Sequence, residues 1–220
     1  MRLAPPEQTP IALTIDFLKG IGVGAVSSTP EIRSQAKSTS FIAIATSQNE
    51  IACAQTSLIT NRRRATDSVA ALAAPAADPP EIYAASTYSH PIATWIDQYE
   101  MRFVAGTPLT RTPQMRSLAW VRERPMRVWT WATLAALGDA NLPRIFFHYD
   151  SLTPIATVTM SVHFHIDEAA LAALAGDFLL VDASSAIAHA GLFDQTVRVW
   201  SQAGALVLSS TQIAVFNVSS

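Results

Sequence analysis

The sequence is poor in cysteine, in charge and in long apolar runs. Cys53 is the only cysteine, so an intrachain disulfide and a cysteine-based metal site are both excluded. Charged residues make up only 15% and the formal net charge is −2, which gives no basic surface for nucleic acid. No run reaches the ~18 apolar residues of a membrane span, and the first ten residues lack an apolar signal region. We therefore expect a cytoplasmic protein with no nucleic-acid partner and no membrane span.

What the sequence does have is apolar content and strand-like alternation. Half of its 220 residues are apolar, enough for one large core or two small ones. The stretch at 156–166, ATVTMSVHFHI, alternates with a period of two, which predicts a strand with one buried face. The face expected to be buried carries Val158, Met160, Val162 and Phe164. The opposite, polar face carries Thr157, Thr159, Ser161, His163 and His165.

Other segments of the sequence also have patterns typical of strands or helices. Strands are predicted at 11–19, 31–35, 40–47, 51–60, 99–105, 114–122, 178–189, 194–200 and 205–218. A helical stretch is expected to open at Pro125, a residue suited to a first helical turn, and to share one face among Trp129, Ala132, Leu134 and Leu137. A short helix is predicted at 167–174, and another short helical segment near 65–73 within an Ala/Pro-rich connection.

An internal repeat suggests two similar units. LTIDF at 13–17 resembles MSVHF at 160–164, and SQNE at 47–50 matches SQAG at 201–204. The leading strand and helix of the second unit have no counterpart in the first. We predict a shortened N-terminal unit at 1–60, a linker at 61–94 and a complete C-terminal unit at 95–220.

Short motifs in both units resemble the acyl-CoA thioesterase II (TesB-like) family. In the second unit these are WVR at 120–122, LGD at 137–139 with LP at 142–143, ATV at 156–158 with FH at 164–165, and SSTQ at 209–212. In the first unit they are IDFL at 15–18, AKS at 36–38 and AQTS at 54–57. The resemblance covers nearly the whole chain. It implies an α+β double hotdog, in which two antiparallel sheets each wrap a helix and the first lacks its leading strand and central helix.

The resemblance also implies a hydrolytic site and its residues. Asp139, Thr157 and Gln212 stand where that family has its catalytic Asp, Thr or Ser, and Gln. A carboxylate and two neutral hydrogen-bonding groups can aim a water at the carbonyl of an acyl-CoA, giving a free acid and CoA. Backbone N–H groups at a helix start could hold the oxyanion. No cofactor or metal is required, and a homo-oligomer is possible.

Each residue also has a simpler interpretation. Asp139 follows a glycine and could be a turn residue, and Thr157 could be an ordinary strand threonine. Gln212 lies in phase with an apolar row, so it must be hydrogen-bonded whatever its role. In the first unit Pro10 and Leu58 occupy the places of Thr157 and Gln212, which predicts one site per chain. The alternative function is a non-catalytic protein for acyl-thioester binding or assembly.

Three further patterns in the sequence are each compatible with another kind of site. GIGVGA at 20–25 fits the dinucleotide fingerprint G-x-G-x-x-A, but Pro30 follows where a helix is required. His163 and His165 have the spacing of two metal ligands on a strand, without an evident third. The basic run 62–64, RRR, is suited either to a solvated loop or to the phosphates of CoA.

Overall fold

A computed structural model describes residues 4–64, 66, 69–70, 72–89, 93–110, 114–149 and 152–217. The described N-terminal strands are β1 (Thr9–Phe17), β2 (Ser27–Gln35), β3 (Thr39–Gln48) and β4 (Ile51–Asn61). The later strands are β5 (Tyr99–Ala105), β6 (Arg116–Glu123), β7 (Ile155–Phe164), β8 (Leu179–Ser184), β9 (Ala188–His189), β10 (Leu192–Trp200) and β11 (Leu206–Phe216). Two α-helices, α1 (Trp131–Asp139) and α2 (Glu168–Ala173), accompany 3₁₀ turns at Pro80–Ile82, Thr94–Gln98 and Arg144–Phe147.

All eleven strands belong to one antiparallel sheet. Its order is β2-β3-β4-β1-β7-β11-β10-β8-β6-β5, with β9 paired to β10. The expectation of two separate sheets is therefore wrong in one respect, because β1 pairs directly with β7. Side chains reinforce this contact, since the Thr14 and Ser161 hydroxyls lie 3.0 Å apart. The molecule is mostly β with few, short helices.

Helix α1 packs on the sheet and forms the centre of the core. Leu134 and Leu137 are fully buried on its inner face. Gly138 lets the helix approach closely, because a Cβ at that position would lie 3.1 Å from Val162 Cγ2. The close approach brings the end of α1 over strands β7 and β11.

The helix starts later than the sequence predicted. It begins at Trp131 rather than at Pro125, because Thr130 and Thr133 form a capping box. Trp129, expected inside the helix, precedes it and is buried, with its indole N–H donating to the Asp177 carbonyl at 2.9 Å. The helical segment predicted near 65–73 lies partly outside the described residues, and those described there are not helical.

A β-bulge in β7 changes which side chains face inward. Against β11, Thr159 pairs with Ile213 but Thr157 pairs with Ala214, so Val158 is an extra residue. The alternation is reset at that point, and Thr157 joins Met160 on the inner face. Val158, expected to be buried, is 42% exposed.

The same irregularity occurs in the N-terminal half. Between β1 and β4, Pro10 pairs with Thr60 and Ala12 with Ile59, so Ile11 is the extra residue. This bulge occupies the position of Val158 in the internal repeat. The repeat seen in the sequence therefore extends to this detail of the backbone.

Candidate active site

A cavity of about 810 Å³ opens beside the C-terminal end of α1. Its wall is mainly apolar, with contributions from the loop after α1, from β7 and from the inner faces of β10 and β11. Polar side chains in the wall are few: Tyr99, Asp139, Asn141, Thr153, Thr157, Gln195 and Gln212. All three residues predicted for catalysis thus line one cavity.

Asp139 and Gln212 are in direct contact. The Gln212 amide Nε2 donates to Asp139 Oδ1 at 3.1 Å and to the Gly138 carbonyl at 3.2 Å. Gln212 comes from the inner face of β11 and is only 6% exposed, so its side chain is held by the strand and by the helix end together. The amide is oriented by two oxygen acceptors, which leaves its own oxygen directed elsewhere.

The environment of Asp139 favours the protonated acid. Its side chain keeps solvent-accessible surface because it faces the cavity, yet the surrounding walls remove much of its hydration. This desolvation raises the pKa of the Asp139 carboxyl above its usual range, against the opposing effect of the Gln212 hydrogen bond. A carboxylate with a raised pKa is a better proton acceptor near neutral pH.

Thr157 reaches the cavity through the bulge. Strict alternation had placed it on the outer, polar face, with His163 and His165. With Val158 as the extra residue, Thr157 lies on the inner face beside Ala214, two residues beyond Gln212 on β11. Its hydroxyl has no hydrogen-bond partner among the described residues and is free to bind a molecule in the cavity.

Tyr99 adds a neutral donor to the same wall. Burial, with the negative charges of Glu123 and Asp139 nearby, raises the pKa of its phenol to about 12. The phenol is therefore protonated at neutral pH. Trp95, also in the wall, packs edge-on against the Tyr99 ring with centroids 6.4 Å apart.

Sequence reasoning missed two polar residues, Gln195 and Arg144. Gln195 lines the cavity on β10 and is the direct cross-strand partner of Gln212. A signal for it existed, because Gln195 is in phase with an apolar row of β10, as Gln212 is on β11. Arg144 gave no such signal: it is one polar residue in a short 3₁₀ turn, yet it is almost completely buried.

The cavity is lined by the end of α1 and not by its start. The α1 residues in the cavity wall, Ala136 and Asp139, belong to its last turn. The first turn is instead closed by the Thr130–Thr133 capping box.

The other site candidates from the sequence, which are the two histidines, the glycine-rich segment and the basic run, do not line the cavity. His165 contacts Ser209 at 2.9 Å, and no group of three or more His, Cys, Asp or Glu side chains able to hold a metal occurs in the described part of the chain. Gly20 to Gly24 lead into strand β2 rather than a helix. Arg63 of the basic run donates to the Phe164 carbonyl at 2.6 Å, while Arg62 and Arg64 are exposed.

No helix in the described ranges has both the length and the apolar character needed to cross a membrane. A search among curated proteins finds no match to the chain. Solved structures do match, and they share the hotdog fold.

Three of these solved structures illustrate the similarity. A conserved hot dog fold protein of unknown function from Alicyclobacillus acidocaldarius is 26% identical, with a TM-score of 0.93 over 100% of this chain and 81% of that one. Acyl-CoA thioesterase II TesB2 from Mycobacterium marinum is 17% identical, with a TM-score of 0.76 over 99% and 84%. The tesB protein of Mycobacterium avium subs paratuberculosis is 18% identical, with a TM-score of 0.77 over 97% and 80%.

The family itself is identified from the sequence. A family model described as the acyl-CoA thioesterase C-terminal domain matches residues 66–216, which include α1, β7, β10, β11 and every residue of the cavity wall. The chain therefore belongs to the acyl-CoA thioesterase C-terminal domain family.

Proposed function

We propose that this protein is a thioester hydrolase that cleaves acyl-CoA to a free carboxylic acid and CoA. The observation that carries the proposal is the 3.1 Å contact between Asp139 and Gln212 at the wall of a largely apolar cavity. An apolar cavity suits an acyl chain, and a hydrogen-bonded carboxylate beside it suits a water. Membership of the acyl-CoA thioesterase family supports the choice of substrate.

Each residue then has a distinct role. Asp139 accepts a proton from water as the water oxygen attacks the thioester carbonyl carbon. Gln212, its Nε2 held by Asp139 and Gly138, offers its amide oxygen to the other water hydrogen. Thr157 donates its hydroxyl to a lone pair of the water and so fixes the direction of attack.

The bond changes follow from these roles. A carbon–oxygen bond forms, the carbon–sulfur bond breaks, and the proton taken by Asp139 passes to the departing thiolate. The products are a carboxylic acid and the CoA thiol. No bond between protein and substrate forms at any stage.

The fold assignment belongs to the same proposal. We infer a double hotdog in which the N-terminal unit, 1–60, has no central helix of its own, 61–94 connects the units, and 95–220 carries the site. In the described part of 1–60 there are four strands and no helix. The β1–β7 pairing joins the two units into one sheet.

The test is a thiol-release assay with a panel of acyl-CoAs, applied to the wild type and to Asp139→Asn. Asparagine keeps the shape of the side chain but cannot accept the proton, so we expect at least a ~10²-fold lower kcat/KM. Asp97→Asn, which changes an exposed carboxylate outside the cavity, should retain wild-type activity. Binding of acyl-CoA without any CoA release by the wild type would contradict the proposal and favour a binding protein.

A further inference from the structure

Beside the proposed water site lies a second polar feature that hydrolysis does not use, the pair Arg144 and Gln195. Arg144 is 1% exposed and Gln195 is 3% exposed. Arg144 is the first residue of the 3₁₀ turn Arg144–Phe147, after the loop that follows α1, and its side chain extends to strands β6 and β8. There it donates to the Ser117 hydroxyl at 2.6 Å and to the Ala183 carbonyl at 3.1 Å.

Among the described residues, no carboxylate is in hydrogen-bond contact with the buried guanidinium. The charge of Asp182 acts on Arg144, but Asp182 forms its ion pair with Arg116 at 2.8 Å. Desolvation lowers the pKa of Arg144 to about 9, so the group is still a cation at neutral pH. A buried cation is costly, and here its partners are neutral oxygens and the face of Phe147, 4.2 Å from its ring centre.

One of those neutral oxygens fixes the orientation of Gln195. Arg144 Nε lies 3.3 Å from Gln195 Oε1. Because arginine has donors only, the atom facing it must be the amide oxygen. The Gln195 NH₂ group therefore lies on the side of the amide away from Arg144, and it makes no hydrogen bond to any residue of the described part of the chain. Because Gln195 also forms part of the cavity wall, this is the side of the amide that is available to a molecule in the cavity.

An unpaired donor in an apolar wall selects what may bind there. The apolar residues of the same cavity wall include Leu142, Phe146 and Phe193. A plain alkyl chain would leave the buried N–H groups without an acceptor, at a cost in free energy, while a chain carrying an oxygen would satisfy them. Sites built to hydrogen-bond a substrate oxygen reject the analogue that lacks it.

The position of the oxygen follows from the strand register. Gln195 is the direct cross-strand partner of Gln212, and paired strands are about 4.8 Å apart. With single bonds of about 1.5 Å, that spacing corresponds to about three or four bonds along the substrate. Given the proposed function, in which the thioester carbonyl carbon lies beside Gln212, the acceptor is an oxygen attached near C3.

We propose that Gln195, held by Arg144, is a specificity residue and that the substrate is an acyl-CoA with a hydroxyl or keto oxygen near C3 of its acyl chain. This rests on the proposed function and narrows it to one substrate class. The same amide would disfavour saturated, unsubstituted acyl groups of equal length.

The experiment compares four substrates: octanoyl-CoA, 3-hydroxyoctanoyl-CoA, 3-ketooctanoyl-CoA and 8-hydroxyoctanoyl-CoA. We expect the wild type to show at least ~10-fold higher kcat/KM for the two C3-oxygenated substrates than for the other two. Gln195→Leu and Gln195→Met, which keep the volume but remove the donors, should lower that ratio by ~10-fold and raise octanoyl-CoA hydrolysis, because no unpaired donor then faces the alkyl chain. Gln55→Leu, at an exposed strand position, is the matched control.

Failure of this inference and failure of the proposed function give different results. Equal kcat/KM for all four substrates, or an equal loss on all four in both Gln195 variants, would overturn the specificity role while hydrolysis stands. If the wild type hydrolyses none of them, the same comparison is made by calorimetric binding. Tighter binding of the C3-oxygenated substrates that disappears in Gln195→Leu would then support the inference without hydrolysis, and equal binding would overturn it.

Discussion

The strand pairs β1–β4 and β7–β11 have the same bulged backbone and different side chains. In the C-terminal pair the bulge brings Thr157 inward, and Gln212 stands next to it on the inner face. In the N-terminal pair Pro10 and Leu58 take those two places. A proline has no N–H and no hydroxyl, and a leucine has no polar atom beyond its backbone. The backbone is therefore not sufficient for a site, and the side chains on it decide which half could act on a substrate.

The helix is the second difference between the halves. In the C-terminal half α1 closes over the sheet and supplies Asp139 from its last residue. Residues 4–64 contain no helix, and β2 is exposed along its whole length. A cavity needs a wall on each side, so only the half with a helix has the concave site described above.

Removing the bulge is expected to have the largest effect. Insertion of one alanine between Ile213 and Ala214 would give Val158 a partner on β11, which restores strict alternation and turns Thr157 to the outer face. We expect thioester hydrolysis to fall by ~10³-fold, since Thr157 leaves the cavity wall and the strand beside Gln212 is disturbed at the same time. Insertion of one alanine between Ile59 and Thr60, the equivalent place in the N-terminal half, should leave most of the activity. Equal losses in both insertions would show that the comparison between the halves has no functional meaning.

The second-largest effect is expected when the strand pair β7–β11 is given a side chain found in the pair β1–β4. Gln212→Leu installs the residue found at position 58 and removes the hydrogen bond to Asp139. We expect a ~10²-fold lower kcat/KM in the thiol-release assay. The reverse change, Leu58→Gln, should create no activity in a protein already carrying Gln212→Leu. Wild-type rates in Gln212→Leu would remove this residue from the site.

A smaller loss is expected at Thr157. Valine has the same branched shape as threonine, so Thr157→Val removes only the hydroxyl and preserves the strand. With Asp139 and Gln212 still present, we expect about a 10-fold decrease in kcat. Thr211→Val, at an exposed position on β11, is the matched control and should have no effect. An unchanged kcat in Thr157→Val would mean that the hydroxyl does not position the water.

The smallest expected effect is a gain in thermal stability, whereas the changes described above lower activity. Because the folded state raises the pKa of Asp139, ionising it costs stability as the pH rises above ~3.9, the value expected for an unfolded Asp. Asp139→Asn removes that cost and should raise the Tm at neutral pH, with the difference vanishing below about pH 3.9. The difference in Tm is measured by thermal unfolding between about pH 3 and pH 8, for Asp139→Asn, for the control Asp97→Asn and for the wild type. A lower Tm for Asp139→Asn at neutral pH would contradict the pKa direction.

The sequence was most informative where a regular period is enforced by burial. The strand at 156–166 and the row containing Gln212 were predicted because an antiparallel strand with one buried face must alternate. The acidic start of α2 was predicted for a similarly local reason, and Asp167 accepts the Ala170 N–H there. These features depend on near neighbours only.

What was missed depends on tertiary contacts. Nothing in the sequence marks Val158 as an extra residue, because a bulge is defined by the partner strand. The start of α1 was misplaced because the fixed φ of Pro125 suits a helix, while the capping box at Thr130 decides where one begins. Arg144 is an ordinary surface residue in sequence terms and is buried only because Ser117, Ala183 and Gln195 supply acceptors from three other strands.

The pairing of β1 with β7 also bears on how the molecule opens. It covers residues 12–16 and 159–163, near the centre of the strand order, with four strands between β7 and the far edge strand β5. Amide protons at this junction can exchange with solvent only when both halves separate, whereas those of β2 are released by fraying of one edge. Exchange measured along the sheet should therefore slow from β2 toward β1, and the slowest amides should report the free energy of global unfolding.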